Sequence, residues 1–300
     1  MGNGEMGKGK NPDPDGFERV AIVGFGLIGG SLALALRRRA GSVRILAVDR
    51  DDVVRRAMRT RAADEGSADP AVVAGADLIV LAAPIRQNID LLQRLPDMHP
   101  GSAIVTDVGS TKEATAAAAA ALPPRLPFVG GHPLAGAAVG GLDAARPDLF
   151  ENRPWILCPA ATARPADVER LERLLSAVGA RVARMTSGEH DRLVAFLSQL
   201  PQLVASALMQ VVGAHTGAAG LALAGRGLRD TTRLATSPAD IWRDIAATNA
   251  GPLRAALDEM IEALLRLREN LGDDGAIDEV FAAAARWKQV LEEGHSAHRA

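Results

Sequence analysis

The chain has 300 residues, 48% of them hydrophobic and 23% charged, the balance of a globular enzyme with one large domain or two ordinary ones. A net charge of −2 and a pI near 6.3 argue against a nucleic-acid binder, and an aromatic content of 3% without tyrosine argues against a base-stacking platform. The lone Cys158 can close no intrachain disulfide, which suits a reducing cytoplasm, and no apolar run reaches the ~18 residues that span a bilayer.

The polar, glycine-rich residues 1–16 predict a disordered leader. Seven apolar runs then predict strands: 19–23, 43–49, 77–84, 103–110, 127–131, 154–159 and 180–185. Their apolar character is continuous, as it must be in strands buried on both faces. Helical patterns separate them, among them GSLALALRRRA, the alanine-rich run 114–122 and DVERLERLLSAVG. Such alternation predicts an α/β domain, a Rossmann-like doubly wound parallel sheet, over residues 17–185. Residues 186–300 carry no convincing strand and predict an all-helical substrate and dimerisation domain. Its long opening helix contains Pro201, which predicts a kink. Leu- and Ala-rich helices of this kind bury themselves against a second copy, so a homodimer is expected.

The sequence GFGLIGGS (24–31) stands between the first strand and a helix. There Gly24 makes the turn, Gly26 lets a pyrophosphate reach the backbone, and Gly29 lets helix and strand pack closely, with Leu27 and Ile28 between them. Asp49 ends the second strand, 20 residues after Gly29, where a carboxylate can accept from both ribose hydroxyls. That favours NAD, while Arg50 keeps NADP open by offsetting a 2′-phosphate. Ala82 and Pro84 end the third predicted strand at the same sheet edge and are expected to line the cofactor. No His/Cys/Asp cluster has metal-ligand spacing, so no metal is expected. His99, His215, His295 and His298 are expected to be structural or superficial.

Five motifs occur in order: GLIGGS, TDVGSTK (106–112), GGHPLAG, the His190-Asp191 pair and RDTTRLA (229–235). Together they resemble the prephenate/arogenate dehydrogenase family over about residues 18–290. The resemblance implies a nucleotide-binding domain followed by a helical dimerisation domain. It also implies oxidation of a cyclohexadienol whose ring then loses carbon dioxide and becomes aromatic. That chemistry asks for an acceptor at the hydroxyl, a cation for carboxylates and a well-placed nicotinamide.

By this resemblance His132 takes the hydroxyl proton, and its place after the strand 127–131 puts it at the carboxyl edge of the sheet. Ser110 resembles the family serine that bonds the hydroxyl or the nicotinamide; a helix cap by Ser110 or Thr111 is the structural alternative. Arg233 resembles the substrate arginine, its fork matching a carboxylate, with an ion pair to Asp230 as the structural alternative. Trp242 is taken as a packing wall near it. His190 is expected to face ligand, as are Ser198 and Gln202, which lie four apart and so share a helix face. Many relatives read SHLPH where this chain reads SQLPQ (198–202). A neutral glutamine there favours a keto acid, hence prephenate rather than arogenate. The expected activity is NAD-dependent oxidative decarboxylation of prephenate to 4-hydroxyphenylpyruvate in tyrosine biosynthesis. Arogenate dehydrogenase and a non-catalytic nicotinamide sensor are the alternatives; neither nucleic acid nor membrane is an expected partner.

Overall fold

The computed structural model describes residues 16–39, 43–136 and 139–296, with side chains as far as Glu293. The expected leader, apart from Gly16, lies outside these residues, as do His298 and the side chain of His295. The chain divides into two compact units, one ending at Ser187 and one starting at Gly188.

The first unit is built on eight strands: β1 (Arg19–Val23), β2 (Arg44–Val48), β3 (Glu65–Ser67), β4 (Leu78–Leu81), β5 (Ile104–Asp107), β6 (Phe128–Pro133), β7 (Pro154–Pro159) and β8 (Arg181–Arg184). Their order across the sheet is β3-β2-β1-β4-β5-β6-β7-β8. Helices α1 (Leu27–Arg39), α2 (Asp51–Arg59), α3 (Ile85–Met98), α4 (Glu113–Ala119) and α5 (Pro165–Ala177) connect them. An apolar layer fills each face of the sheet, one around Ile22, Leu36 and Trp155, the other around Ile79, Leu95 and Phe128. This double burial is why the strands show as unbroken apolar runs.

Three features depart from the sequence expectation. Strand β3 was not expected, because Glu-Gly-Ser carries no apolar signal. It is an edge strand paired only with β2, and Glu65 meets Arg19 at 2.7 Å. Nor is the sheet wholly parallel: β6 and β7 run antiparallel, with His132 opposite Ile156. Among its described residues the connection between them holds only a short 3₁₀ turn at Leu142–Ala144, and a parallel pairing needs a crossover, usually a helix. Strand β6 also continues through His132 and Pro133, so His132 lies within the strand rather than after it.

The second unit contains α6 (Ser187–Val194), α7 (Leu200–Leu221), α8 (Arg226–Thr231), α9 (Ala239–Thr248), α10 (Ala250–Glu269) and α11 (Asp274–Ser296), with no strand among the described residues. A π turn at Ala195–Gln199 joins α6 to α7, and the Leu200 N–H donates to the Ala195 carbonyl, five residues back. Pro201, which has no N–H to give, stands at the start of α7 immediately after this turn. The expected disturbance is therefore a π turn rather than a simple bend. The helix is interrupted again at Gly217, whose φ is +58°. Contrary to the sequence expectation, Ser187–Leu221 is long and apolar enough to cross a membrane by length and composition, its richest window having a mean hydropathy of 1.3. Gln199, Gln202 and Gln210 break up the apolar run, while the leucines, valines and alanines around them keep its average high.

Candidate active site

The sheet order reverses at β1, which has β2 on one side and β4 on the other. At such a point the loops leaving adjacent strands diverge and open a crevice at the carboxyl edge. A groove of about 660 Å³ lies there, lined by Gly24 and Gly26 after β1, Asp49 and Arg50 after β2, and Ala82, Ala83 and Pro84 after β4. Gln87, Asp90 and Arg94 of α3 complete one wall.

The three glycines differ in what surrounds them. Gly24 has φ +93°, and a Cβ there would lie 2.4 Å from the Ala82 carbonyl carbon. A Cβ on Gly29 would lie 2.1 Å from the Gly24 oxygen, so α1 can approach β1 only because it is absent. Around Gly26 nothing lies within 4 Å of that position, which leaves the backbone open toward the groove. Leu27 and Ile28 pack partly buried against the core as α1 begins. The Asp49 carboxylate accepts backbone N–H groups from Phe25 and Arg50, both at 2.7 Å, and is thereby fixed beside the glycine turn. One such bond per oxygen leaves acceptor capacity for a diol. The Arg50 side chain is 79% exposed and lies 3.8 Å from Asp52.

Asn88 was not singled out in the sequence. It is fully buried in α3, and its amide donates to the Leu81 and Ala83 carbonyls at 3.2 and 3.0 Å. It thus holds the end of β4 against the groove, a role that no short motif announces.

Beyond β4, the neighbouring strands β5 and β6 bring Ser110 and His132 to the same edge, since β1, β4, β5 and β6 are parallel. His132 is 8% exposed. Ser110 is partly exposed, and α4 starts after Lys112, whose own side chain makes no cap. Lys112 itself is buried, paired with Asp107, and donates to the Gly131 carbonyl at 2.7 Å.

In the helical unit the residues expected at substrate separate. Arg233 is exposed at the head of a 3₁₀ turn, Arg233–Thr236, and Asp230 pairs with Arg226 at 3.2 Å instead of with Arg233. The arginine forms no ion pair among the described residues, and Trp242 is half-buried. Gln202 is buried; its amide donates to the Leu234 carbonyl at 2.7 Å and to Ser206 at 3.3 Å, and its oxygen accepts from Ser237 at 3.0 Å. Its polar atoms hold the turn that carries Arg233. The His190 ring is fully buried, with Nδ1 2.7 Å from the Asp191 carboxylate. Asn249 ties the same corner together, donating to the Asp191 carbonyl at 2.9 Å and to Gln199 at 2.8 Å. Ser198 donates to the Val194 carbonyl at 3.2 Å from an exposed position. The shared face expected for Ser198 and Gln202 assumed α-helical spacing, and the wider π turn ending at Gln199 breaks it. His99 is structural, its ring 2.8 Å from the Ala76 carbonyl, and His215 sits on the surface of α7.

Comparison with known proteins agrees with this architecture. Residues 32–184 match the family model described as prephenate dehydrogenase, nucleotide-binding domain, and residues 186–283 match prephenate dehydrogenase, dimerization domain. Prephenate dehydrogenase of Bacillus subtilis (strain 168) is 33% identical over 86% of this chain and 71% of its own length. The crystal structure of prephenate dehydrogenase from A. aeolicus in complex with hydroxyphenyl propionate and NAD+ superposes with a TM-score of 0.84 at 28% identity, covering 91% of this chain and 98% of that one. Synechocystis arogenate dehydrogenase superposes with a TM-score of 0.76 at 30% identity, covering 93% and 99%. With a switch-point groove on the sheet unit and both domains of one enzyme matched in order, the chain belongs to the prephenate dehydrogenase family of NAD-dependent oxidoreductases.

Proposed function

We infer that this chain converts prephenate to 4-hydroxyphenylpyruvate and carbon dioxide on the route to tyrosine, with NAD as oxidant. The observation that carries the reading is the dinucleotide groove at the same sheet edge as Ser110 and His132. The residues fit the cofactor: Gly26 opens the backbone to a pyrophosphate and Asp49 offers oxygens to a ribose. NAD supplies the hydride acceptor. Asp49 also favours NAD over NADP, since its carboxylate repels a 2′-phosphate and the solvated Arg50 does little to offset that.

His132 takes the proton of the ring hydroxyl as the carbinol carbon gives up its hydride. Ser110 bonds the same hydroxyl and steadies it for that transfer. The bond to the ring carboxylate then breaks, its electron pair completes the aromatic ring, carbon dioxide leaves, and the ring oxygen takes the proton back from His132 to become the product's phenol. Arg233 holds a substrate carboxylate through a forked pair of hydrogen bonds. Gln202, Ser237 and the Leu234 carbonyl fix the turn from which it acts.

Because the Gln202 amide is committed inside the protein, it does not choose between keto acid and amino acid. The chain acts as a homodimer through its helical domain, in the cytoplasm. Exposed Trp287, Phe281 and Leu264 support the dimer, and a monomer by light scattering at micromolar concentration would remove it.

The central test follows NAD reduction with prephenate and with arogenate, in the wild type and in His132→Asn. We expect faster turnover of prephenate and a fall of ~10²–10⁴ in kcat for the variant. A variant within about threefold of wild type would show that His132 is not the base. Dinucleotide binding without turnover of either substrate would establish a sensor instead.

A further inference from the structure

The sheet unit buries a complete ion pair that the reaction itself does not use. Asp107, the last residue of β5, is 0% exposed, and the Lys112 side chain just before α4 is 1% exposed. Each does more than pair with the other. Lys112 Nζ donates to the Gly131 carbonyl at 2.7 Å. One Asp107 oxygen accepts the Gly131 N–H at 3.0 Å, and the other accepts the Gly109 N–H at 3.0 Å as well as the ammonium. The pair therefore grips both the N–H and the C=O of the residue before His132, and the N–H of the residue before Ser110.

The sequence makes room for this grip. A Cβ on Gly131 would fall 2.6 Å from the Asp107 carbonyl oxygen and 3.0 Å from Trp155 Nε1. A Cβ on Gly130 would fall 3.3 Å from Lys112 Cδ. Gly130 thus leaves room for the lysine stem against β6, and Gly131 lets β6 approach the end of β5 and Trp155. Burying two charges is unfavourable unless their geometry and remaining hydrogen bonds are satisfied, and an apolar pair of similar size is often as stable. The arrangement is thus poorly explained by stability and well explained by position.

We propose that the buried Asp107–Lys112 pair is a positioning device that sets the backbone carrying His132 and Ser110, so that base and hydroxyl face the reacting carbinol together. The inference rests on the reading of His132 as the base. In its absence the loop Val108–Thr111 and the end of β6 lose their common anchor, and the two groups no longer hold one geometry.

The experiment compares wild type, Lys112→Met, the double variant Asp107→Asn/Lys112→Met, and His132→Asn. Rates are normalised to the number of NADH-binding sites titrated by fluorescence. Lys112→Met strands a buried carboxylate, and its melting temperature should fall by roughly 5–15 °C. The double variant should regain most of that loss. Its kcat should nonetheless stay ~10–100-fold below wild type, with the KM for NAD within threefold, since orientation errors act on the chemical step. The acid limb of its kcat/KM profile should also move by about 0.5 pH unit or more, because the surroundings of the imidazole have changed. If the double variant does not fold, Asp107→Glu replaces it: both charges remain while the carboxylate moves by one methylene, and the same loss of kcat is expected. A kcat per site within threefold of wild type in whichever of these is measured overturns the proposal. Should His132→Asn itself keep wild-type activity, it is the assignment of the base that fails, and the two failures are separable.

Discussion

The two units of this chain dispose of their apolar residues in opposite ways. The sheet unit encloses them: both faces of the sheet carry a closed layer, with residues such as Ile22, Leu78, Val105 and Phe128 at 0% or a few per cent exposure. In the helical unit the buried apolar set is short, mainly Val194, Ala195, Ala205, Ile245, Leu253 and Ala256. Phe196, Leu197, Ile261, Phe281 and Trp287 are left exposed, Trp287 by 73%. A domain closed on itself can hold polar machinery in dry surroundings, as the buried Asp107 and Lys112 show. One whose helices still present apolar faces is suited to association, and its proposed substrate cation, Arg233, sits on a surface turn.

This contrast predicts that damage to the helical unit's cation acts on substrate alone. Arg233 is exposed and engages no carboxylate among the described residues, so the fold does not depend on its charge. Arg233→Gln should leave the melting temperature within about 1 °C, as for most surface substitutions. Losing a charge-assisted, forked contact should lower kcat/KM for prephenate by roughly 10–100-fold, mostly through KM. Steady-state kinetics at fixed, saturating NAD measures it. Equal losses for NAD and prephenate would blur the division of labour between the units.

A smaller effect should separate two glycines of the sheet unit that sequence alone treats alike. Gly26→Ala adds a methyl with nothing within 4 Å, so the fold should be untouched while NAD affinity falls ~10-fold, about 1.4 kcal/mol. Gly24→Ala adds one at φ +93° against the backbone of Ala82 and Ala83, and should destabilise the protein by roughly 1–3 kcal/mol. Thermal melts beside calorimetric NAD titrations distinguish a pocket defect from a folding defect. If both variants lose only stability, the groove at Gly26 is not where the pyrophosphate lies.

Much of the sheet unit was legible because its signals are local. Double burial writes strands as apolar runs, and the strand–glycine–helix junction with Asp49 carries its own spacing. Strand β3 was hidden because an edge strand anchored by Glu65 needs no apolar residue. The missing information elsewhere is tertiary. Lys112 in TDVGSTK has the polar look of a turn, and only the approach of Gly130 and Gly131 makes it a buried cation. Asn88 likewise becomes a support for the groove only when α3 packs beneath the end of β4. In the helical unit the motif was visible but its orientation was not. One π turn undoes the spacing argument for Ser198 and Gln202, and His190 keeps its place in the HD motif while its ring is buried against Asp191.

The smallest expected effect concerns how the closed unit secures its own helices. Asp167, in the first turn of α5, accepts from the Arg164 backbone N–H at 3.2 Å and from the Arg164 guanidinium at 2.8 and 2.7 Å. The Arg164 side-chain hydrogen bond, helped by its backbone N–H and charge, holds the Asp167 carboxyl below the ordinary carboxylate range despite the opposing effect of burial. Asp167→Ala removes this helix-terminal acceptor and should cost ~1 kcal/mol, as lost caps do. For a protein of this size that is roughly 2–4 °C in melting temperature. The sign of the pH dependence follows from a folded-state pKa lower than the unfolded one. The contribution is fully present above the unfolded carboxylate pKa, and it is lost as pH falls through the lowered folded value. Wild type and Asp167→Ala should therefore differ at neutral pH and converge in acid, while kcat for prephenate stays the same in both. A difference that grows on acidification would mean the carboxyl is stabilised in its protonated form, and that α5 is held by something other than this charge.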